Sequence, residues 1–234
     1  MRQKIQIFLI FALVVVGLRA AYILYERHEE NTQQTAKPQA PPLDPDNYVT
    51  PRRLHAYDKE SAKQLDQQPV WVKVGYAYTF YPYDPARRKS NFSREAGKLP
   101  PLEKLDIKDI ITDASPGSPD QGQVMAVFQK DGKSYAFAIG SVKEGSYQIY
   151  ADDMLFIQDP HELYKHWPAD VWQAIDQHEV KPGMSELQTS FAIGLGLPEG
   201  SGESAVKTLD YANGGKPLRV TFSNGKATAV SPGS

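Results

Sequence analysis

The 234-residue sequence contains no cysteine. This excludes disulfides, thiolate metal sites, thiol catalysis and attachment of a lipid at a lipobox cysteine. Net charge is also scarce, only −2 at neutral pH. No global basic field draws nucleic acid, and no nucleic-acid partner is expected. Phosphate-loop chemistry is absent too, since Gly194-Leu195-Gly196 does not follow a strand. What is present is 41% hydrophobic residues, enough for a core in one or two domains.

Ile5–Tyr25 is apolar apart from Gln6, Gly17 and Arg19. Its length matches a bilayer crossing at 1.5 Å per residue. Arg2 and Lys4 precede it and Glu26, Glu29 and Glu30 follow, which predicts a single-pass inner-membrane helix, N-terminus inside, with the body in the periplasm. Cleavage of the same segment as a signal peptide, with release to the periplasm, is the alternative. Four segments follow from the composition: an anchor at 1–25, a Pro/Gln-rich linker at 26–69, a β domain at 70–160 and an α+β domain at 161–234.

In the last segment, Asp170–Val180 reads as a helix placing Val171, Trp172 and Ile175 near one face. Pro182-Gly183 breaks it. Ser185-Glu186-Leu187-Gln188 has the form of a capping box, in which Ser185 and Gln188 satisfy each other's backbone amides. A second helix should run to about Leu195 and bury Leu187, Phe191 and Leu195. Gly196 fits the left-handed position past its end, and Pro198 stops continuation. Three strands should follow: Val206–Tyr211, Leu218–Ser223 and Lys226–Val230, the last two joined by the Asn224-Gly225 type I′ turn. That turn pairs Phe222 with Ala227 and Val220 with Ala229, so Leu218, Val220, Phe222, Ala227 and Ala229 share the core face.

The order of two helices and a meander, with Val180, Gly183, Met184, Ser185, Gln188, Leu195, Gly196, Pro198, Tyr211, Phe222 and Asn224-Gly225 as punctuation, resembles the SmpA/OmlA (BamE-like) outer-membrane assembly lipoprotein family over residues 171–230. The resemblance implies an α+β packing unit whose partners are envelope proteins, outer-membrane assembly components among them. The missing lipobox cysteine departs from the family's lipoprotein pattern. The repeat units of the β-lactamase inhibitor protein are similar in topology and imply a binder of a secreted enzyme instead.

In the middle segment, Val70, Val72, Val74, Tyr76, Tyr78 and Phe80 alternate as on a strand, and residues 82–104 read as a loop. Leu105–Thr112 reads as a strand. Val124–Lys130 and Lys133–Ile139 form a hairpin through Asp131-Gly132, with Val124, Ala126 and Phe128 sharing a face with Tyr135, Phe137 and Ile139. Five or six mostly antiparallel strands resemble an SH3-like barrel in number; an open twisted sheet is the alternative.

Three constellations carry candidate chemistry. His161, Glu162 and His166 could serve a hydrolase, but a spacing of five turns the two imidazoles about 140° apart on a helix, and zincins space them by four. Asp152-Asp153 and the Asp58/Glu60 pair lie in polar stretches, where general acid–base work is not expected. Tyr81 and Tyr83, beside Arg87 and Arg88, form a candidate partner-binding surface. Arg52-Arg53 is a second basic pair that could face solvent, lipid headgroups or a partner. The expected whole is an α+β, membrane-anchored envelope protein acting as a non-catalytic binding or scaffold module, with no cofactor and no metal.

Overall fold

The computed structural model describes residues 14–28, 43–75, 78–116, 118–198 and 206–233. Two compact units divide the chain, Met1–Asp44 and Pro45–Ser234. In the first, residues 14–28 are helical (α1).

The second unit starts with a 3-10 turn at Pro45–Tyr48 and the short helix α2 (Lys59–Ala62), which continues as a 3-10 turn to Gln67. Strands β1 (Val70–Val72), β2 (Tyr78–Asp84), β3 (Lys89–Ser90), β4 (Gly97–Leu99), β5 (Lys104–Leu105), β6 (Ile107–Ser115), β7 (Ser118–Lys130), β8 (Lys133–Lys143) and β9 (Ser146–Ile149) follow. Then come α3 (Ala151–Met154), β10 (Leu155–Phe156), α4 (Pro160–Leu163), α5 (Ala169–Asp176) and α6 (Glu186–Ile193). The chain closes with β11 (Gly196–Pro198), β12 (Val206–Tyr211), β13 (Leu218–Ser223) and β14 (Lys226–Pro232).

A seven-stranded antiparallel sheet runs β3-β2-β8-β7-β6, with β4 on β2 and β9 on β8. A three-stranded sheet, β10-β1-β5, and a four-stranded one, β11-β12-β13-β14, accompany it. The β7–β8 hairpin closes through Asp131 and Gly132 at φ 50° and 72°, the positive pair that a type I′ turn needs. Val124, Ala126, Phe128, Phe137 and Ile139 all enter the main core, with Tyr135 packed against it. A second apolar cluster, around Trp167, Trp172, Phe191, Tyr211 and Phe222, joins the helices to the four-stranded sheet. A third lies on the other face of the large sheet, where Ile111, Met125, Val127 and Ala136 sit beneath Tyr81, Tyr83 and Phe92.

Several expectations are corrected. The α+β class with a leading transmembrane helix gives way to a mixed α/β fold, about 28% helix and 40% strand, built on a near-barrel antiparallel sheet. Among the described residues no helix is long and apolar enough to cross a membrane, so a single-pass inner-membrane placement through residues 5–25 is not supported. Residues 5–13 of that span, and 29–42 of the expected linker, lie outside the described residues. The rest of the linker is folded: from Pro45 it forms a strap whose Ala62 and Leu65 are buried in the main core, while Leu54 and Ala56 pack against it. The single strand expected from Val70 breaks after Val72, so β1 and β2 enter different sheets. The expected loop at 82–104 holds the end of β2 together with β3 and β4.

Candidate functional site

The C-terminal punctuation serves the backbone. Gly183, at φ +88°, donates to the Ala227 carbonyl at 2.8 Å. Met184 is buried, and its sulfur accepts from the Lys181 amide at 3.1 Å. The Ser185 hydroxyl accepts from the Gln188 amide at 3.2 Å, and the Gln188 carbonyl oxygen from the Ser185 amide at 2.8 Å, completing the box. Asn224 and Gly225 take φ 50° and 73° in their turn. The left-handed helix stop, however, is Gly194 at φ +95°, so α6 ends at Ile193 and leaves Leu195 exposed. Gly196 has a different duty: it lies in β11 opposite Tyr211, where a Cβ would come within 2.6 Å of the tyrosine ring. Pro198, the next strand residue but one, pairs with Leu209. A bulge after Thr221 moves Val220 from Ala229 to Val230, and Ala229 turns to solvent.

At the candidate partner surface, Tyr81 and Tyr83 pack onto the third cluster, while the Arg87 and Arg88 side chains stay exposed beside surface carboxylates. The Tyr81 ring meets Phe92 edge-on at 5.1 Å, and both tyrosines cover the third cluster. Arg88 pairs with Asp109 at 2.7 Å, and Arg87 lies 3.7 Å from Asp84. The adjoining hairpin is anchored by Asp113, whose buried carboxylate accepts from the Ser90 amide at 2.6 Å, Lys89 Nζ at 3.0 Å and the Ala114 amide at 2.8 Å. Burial raises this acid's pKa, but the three donors outweigh it and hold it below the ordinary carboxylate value. Its stabilisation is therefore fully present above pH 3.8, the ordinary value, and is lost as pH falls from there through the lowered folded value. Asp113→Asn should flatten the acid limb of an unfolding titration; a limb identical to that of the parent protein would refute the assignment.

His161 and His166 are held by different acids. His161 lies 3.2 Å from Asp159 and 3.3 Å from Asp176, and its ring stacks on Trp172 with centroids 4.0 Å apart. His166 Nε2 sits 2.6 Å from an Asp46 oxygen, which also accepts from Trp167 Nε1 at 2.7 Å. Glu162 is exposed on α4. Among the described residues, no group of three His, Cys, Asp or Glu side chains is placed to hold a metal ion.

What the His161 region does form is an open depression of about 500 Å³, walled by His161, Trp167 and Trp172 and bordered by Lys165, Gln173 and Asp176. Pro168 opens α5, whose Trp172, Ala174 and Ile175 face the core. Ala169, Gln173, Asp176 and Gln177 then fall on one outward stripe at helical spacing. That periodicity could have flagged these residues in the sequence. Nothing local could have paired Asp46 with Trp167, 121 positions away.

Comparison with protein-family models, curated proteins and solved structures finds no match.

Proposed function

We propose that the chain is a non-catalytic binding module that docks a protein partner at the depression beside α5. The observation behind this reading is the aromatic wall of that depression. The exposed His161 ring, stacked on Trp172, and the outer edges of the otherwise buried Trp167 and Trp172 give it a small aromatic floor, and Lys165, Asp176, Gln173 and Gln177 give a polar rim. An aromatic centre within a polar rim is the usual composition of energetically dominant interface patches. The depression is open and shallow, which suits a protruding side chain or loop better than an enclosed substrate. The separate engagement of His161 and His166 favours this over a hydrolase built on His161, Glu162 and His166. The SmpA/OmlA resemblance directs the search for partners to envelope proteins, with an inhibitor-like grip on a secreted enzyme as a related form of the same activity.

A photo-crosslinking residue at the exposed Gln173 should capture a discrete protein in bacterial envelopes. The capture should be competed by the unlabelled chain and lost when Gln177→Arg is added without change in thermal midpoint. If Gln173 captures no more than a probe at Lys133, across the fold on β8, the reading is wrong.

A further inference from the structure

The strap at Pro45–Gln67 presents the other face that chemistry singles out. Val49, Pro51, Leu54 and Ala56 are part-buried, while Tyr48, Arg52, Arg53, His55 and Tyr57 point to solvent. The backbone between is pinned: the Arg52 amide donates to Gln158 Oε1 at 2.8 Å, and the Leu54 and His55 amides donate to the two oxygens of Asp152 at 2.6 and 2.8 Å. Two guanidinium groups thus stand on a fixed main chain, so less conformational freedom is lost when they engage a partner.

Their charge is unspent. Arg87, Arg88, Lys89 and Arg219 face Asp84, Asp109, Asp113 and Asp210. Among the described residues no carboxylate pairs with the Arg52 or Arg53 side chain. Burial first, and the Arg53 charge second, lower the affinity of Lys73 for a proton. Asp152 and Asp153 oppose the effect only in part. An incoming carboxylate would relieve this crowding of positive charge. Tyr48 and Tyr57, 66% and 75% exposed, flank the arginines as amphipathic anchors.

We propose that this ridge, Tyr48-Arg52-Arg53-Tyr57, receives an extended acidic peptide segment of the partner, its carboxylates forked by the two guanidinium groups. The inference rests on the binding-module reading and names a second contact for it. Nine residue steps from Tyr48 to Tyr57 reach at most about 30 Å, the span of roughly nine extended residues. A peptide fits better than a nucleic acid because the chain is net negative, with a pI of about 6.2, and the two rings are too far apart in sequence to form a stacking ladder.

The test uses the full chain and a fluorescent peptide of about nine residues rich in glutamate. Arg52→Glu combined with Arg53→Glu should weaken binding about tenfold or more, and the paired Lys variants should retain part of it through charge without the fork. Raising salt from about 50 to about 300 mM should also weaken it. Arg87→Glu with Arg88→Glu should leave it unchanged. Should the Glu pair lower the thermal midpoint, the Arg52→Gln, Arg53→Gln pair answers the same question. The proposal is overturned if a glutamine peptide binds equally well, if the charge-reversed chain binds as before, or if only an oligonucleotide of similar length shows arginine-dependent binding. Loss of peptide binding with intact Gln173 capture would sink this inference alone; loss of Gln173 capture would sink the function reading instead.

Discussion

Replacing Phe128 by alanine is expected to cost about 3–5 kcal/mol of folding stability, the range for emptying a fully enclosed aromatic site. Phe128 has no solvent exposure, and its ring meets Phe80 and Phe137 edge-on at 5.6 and 5.8 Å and lies tilted against Tyr135 at 5.8 Å. These neighbours come from β2 and from the pairing strand β8, both held by backbone ladders, so they cannot close the void without breaking sheet hydrogen bonds. Urea denaturation followed by circular dichroism reads the loss directly, provided the slope with denaturant is unchanged. A loss below about 1 kcal/mol would mean that the core collapses freely around this position.

Asp152→Ala should have the next largest effect. Its carboxylate accepts two backbone amides from the strap, both lost on substitution, whereas the bond from Lys73 Nζ to its backbone carbonyl is kept. Hydrogen bonds to a charged acceptor are worth about 1.5–3 kcal/mol each, but the freed amides lie near the surface and can recover water, so about 2–3 kcal/mol in total is expected. The distribution of the effect is the sharper readout. Hydrogen exchange should speed up at Leu54 and His55 and at the amides around them, while Ala126 and Phe137 in the large sheet stay protected. Asp152→Asn, which keeps one acceptor oxygen, should fall between. Uniform loss of protection across both regions would show that the strap and the sheet open together and not in sequence.

The contrast between these two residues shows where the sequence was readable. Phe128 announces itself through alternation with Val124 and Ala126 and through the Asp131-Gly132 turn two positions beyond Gln129, because hairpin register is a local property. Ser185 and Gln188 announce a helix start for the same reason. Asp152 looks like half of a surface acid pair, because its partners lie 98 and 97 positions earlier, in a stretch whose prolines suggest a linker. Gly194 and Gly196 were separable only once the Tyr211 ring was placed on the second of them. Of the candidate site, the tryptophans and His161 were visible as residues. Their convergence was not, since it depends on His161 of α4 stacking on Trp172 of α5 and on Asp46 reaching Trp167 from outside the segment. The apolar run that predicts a membrane helix at residues 5–25 is a local signal too, yet among the described residues no helix is long and apolar enough to cross a membrane.

The large sheet is apolar on both faces in its centre, where Val124, Met125, Ala126, Val127 and Phe128 are all buried in succession. In most sheets a one-residue slip exposes a greasy face and is rejected on that ground. Here slippage would trade one buried side chain for another, and hydrophobic patterning alone cannot veto it. The reading frame of β7 against β8 must then be kept by its landmarks: the left-handed pair at Asp131-Gly132 and the extra residue that shifts the pairing between Val124 and Met125. Gly122 is a key in the same lock, since a Cβ there would come within 3 Å of Val142 on β8; Gly140 plays that part against β9, where a Cβ would meet the Gln148 carbonyl. The hairpin is therefore indexed by its irregularities, and changes at those few positions should alter which structure forms more than how tightly it is held.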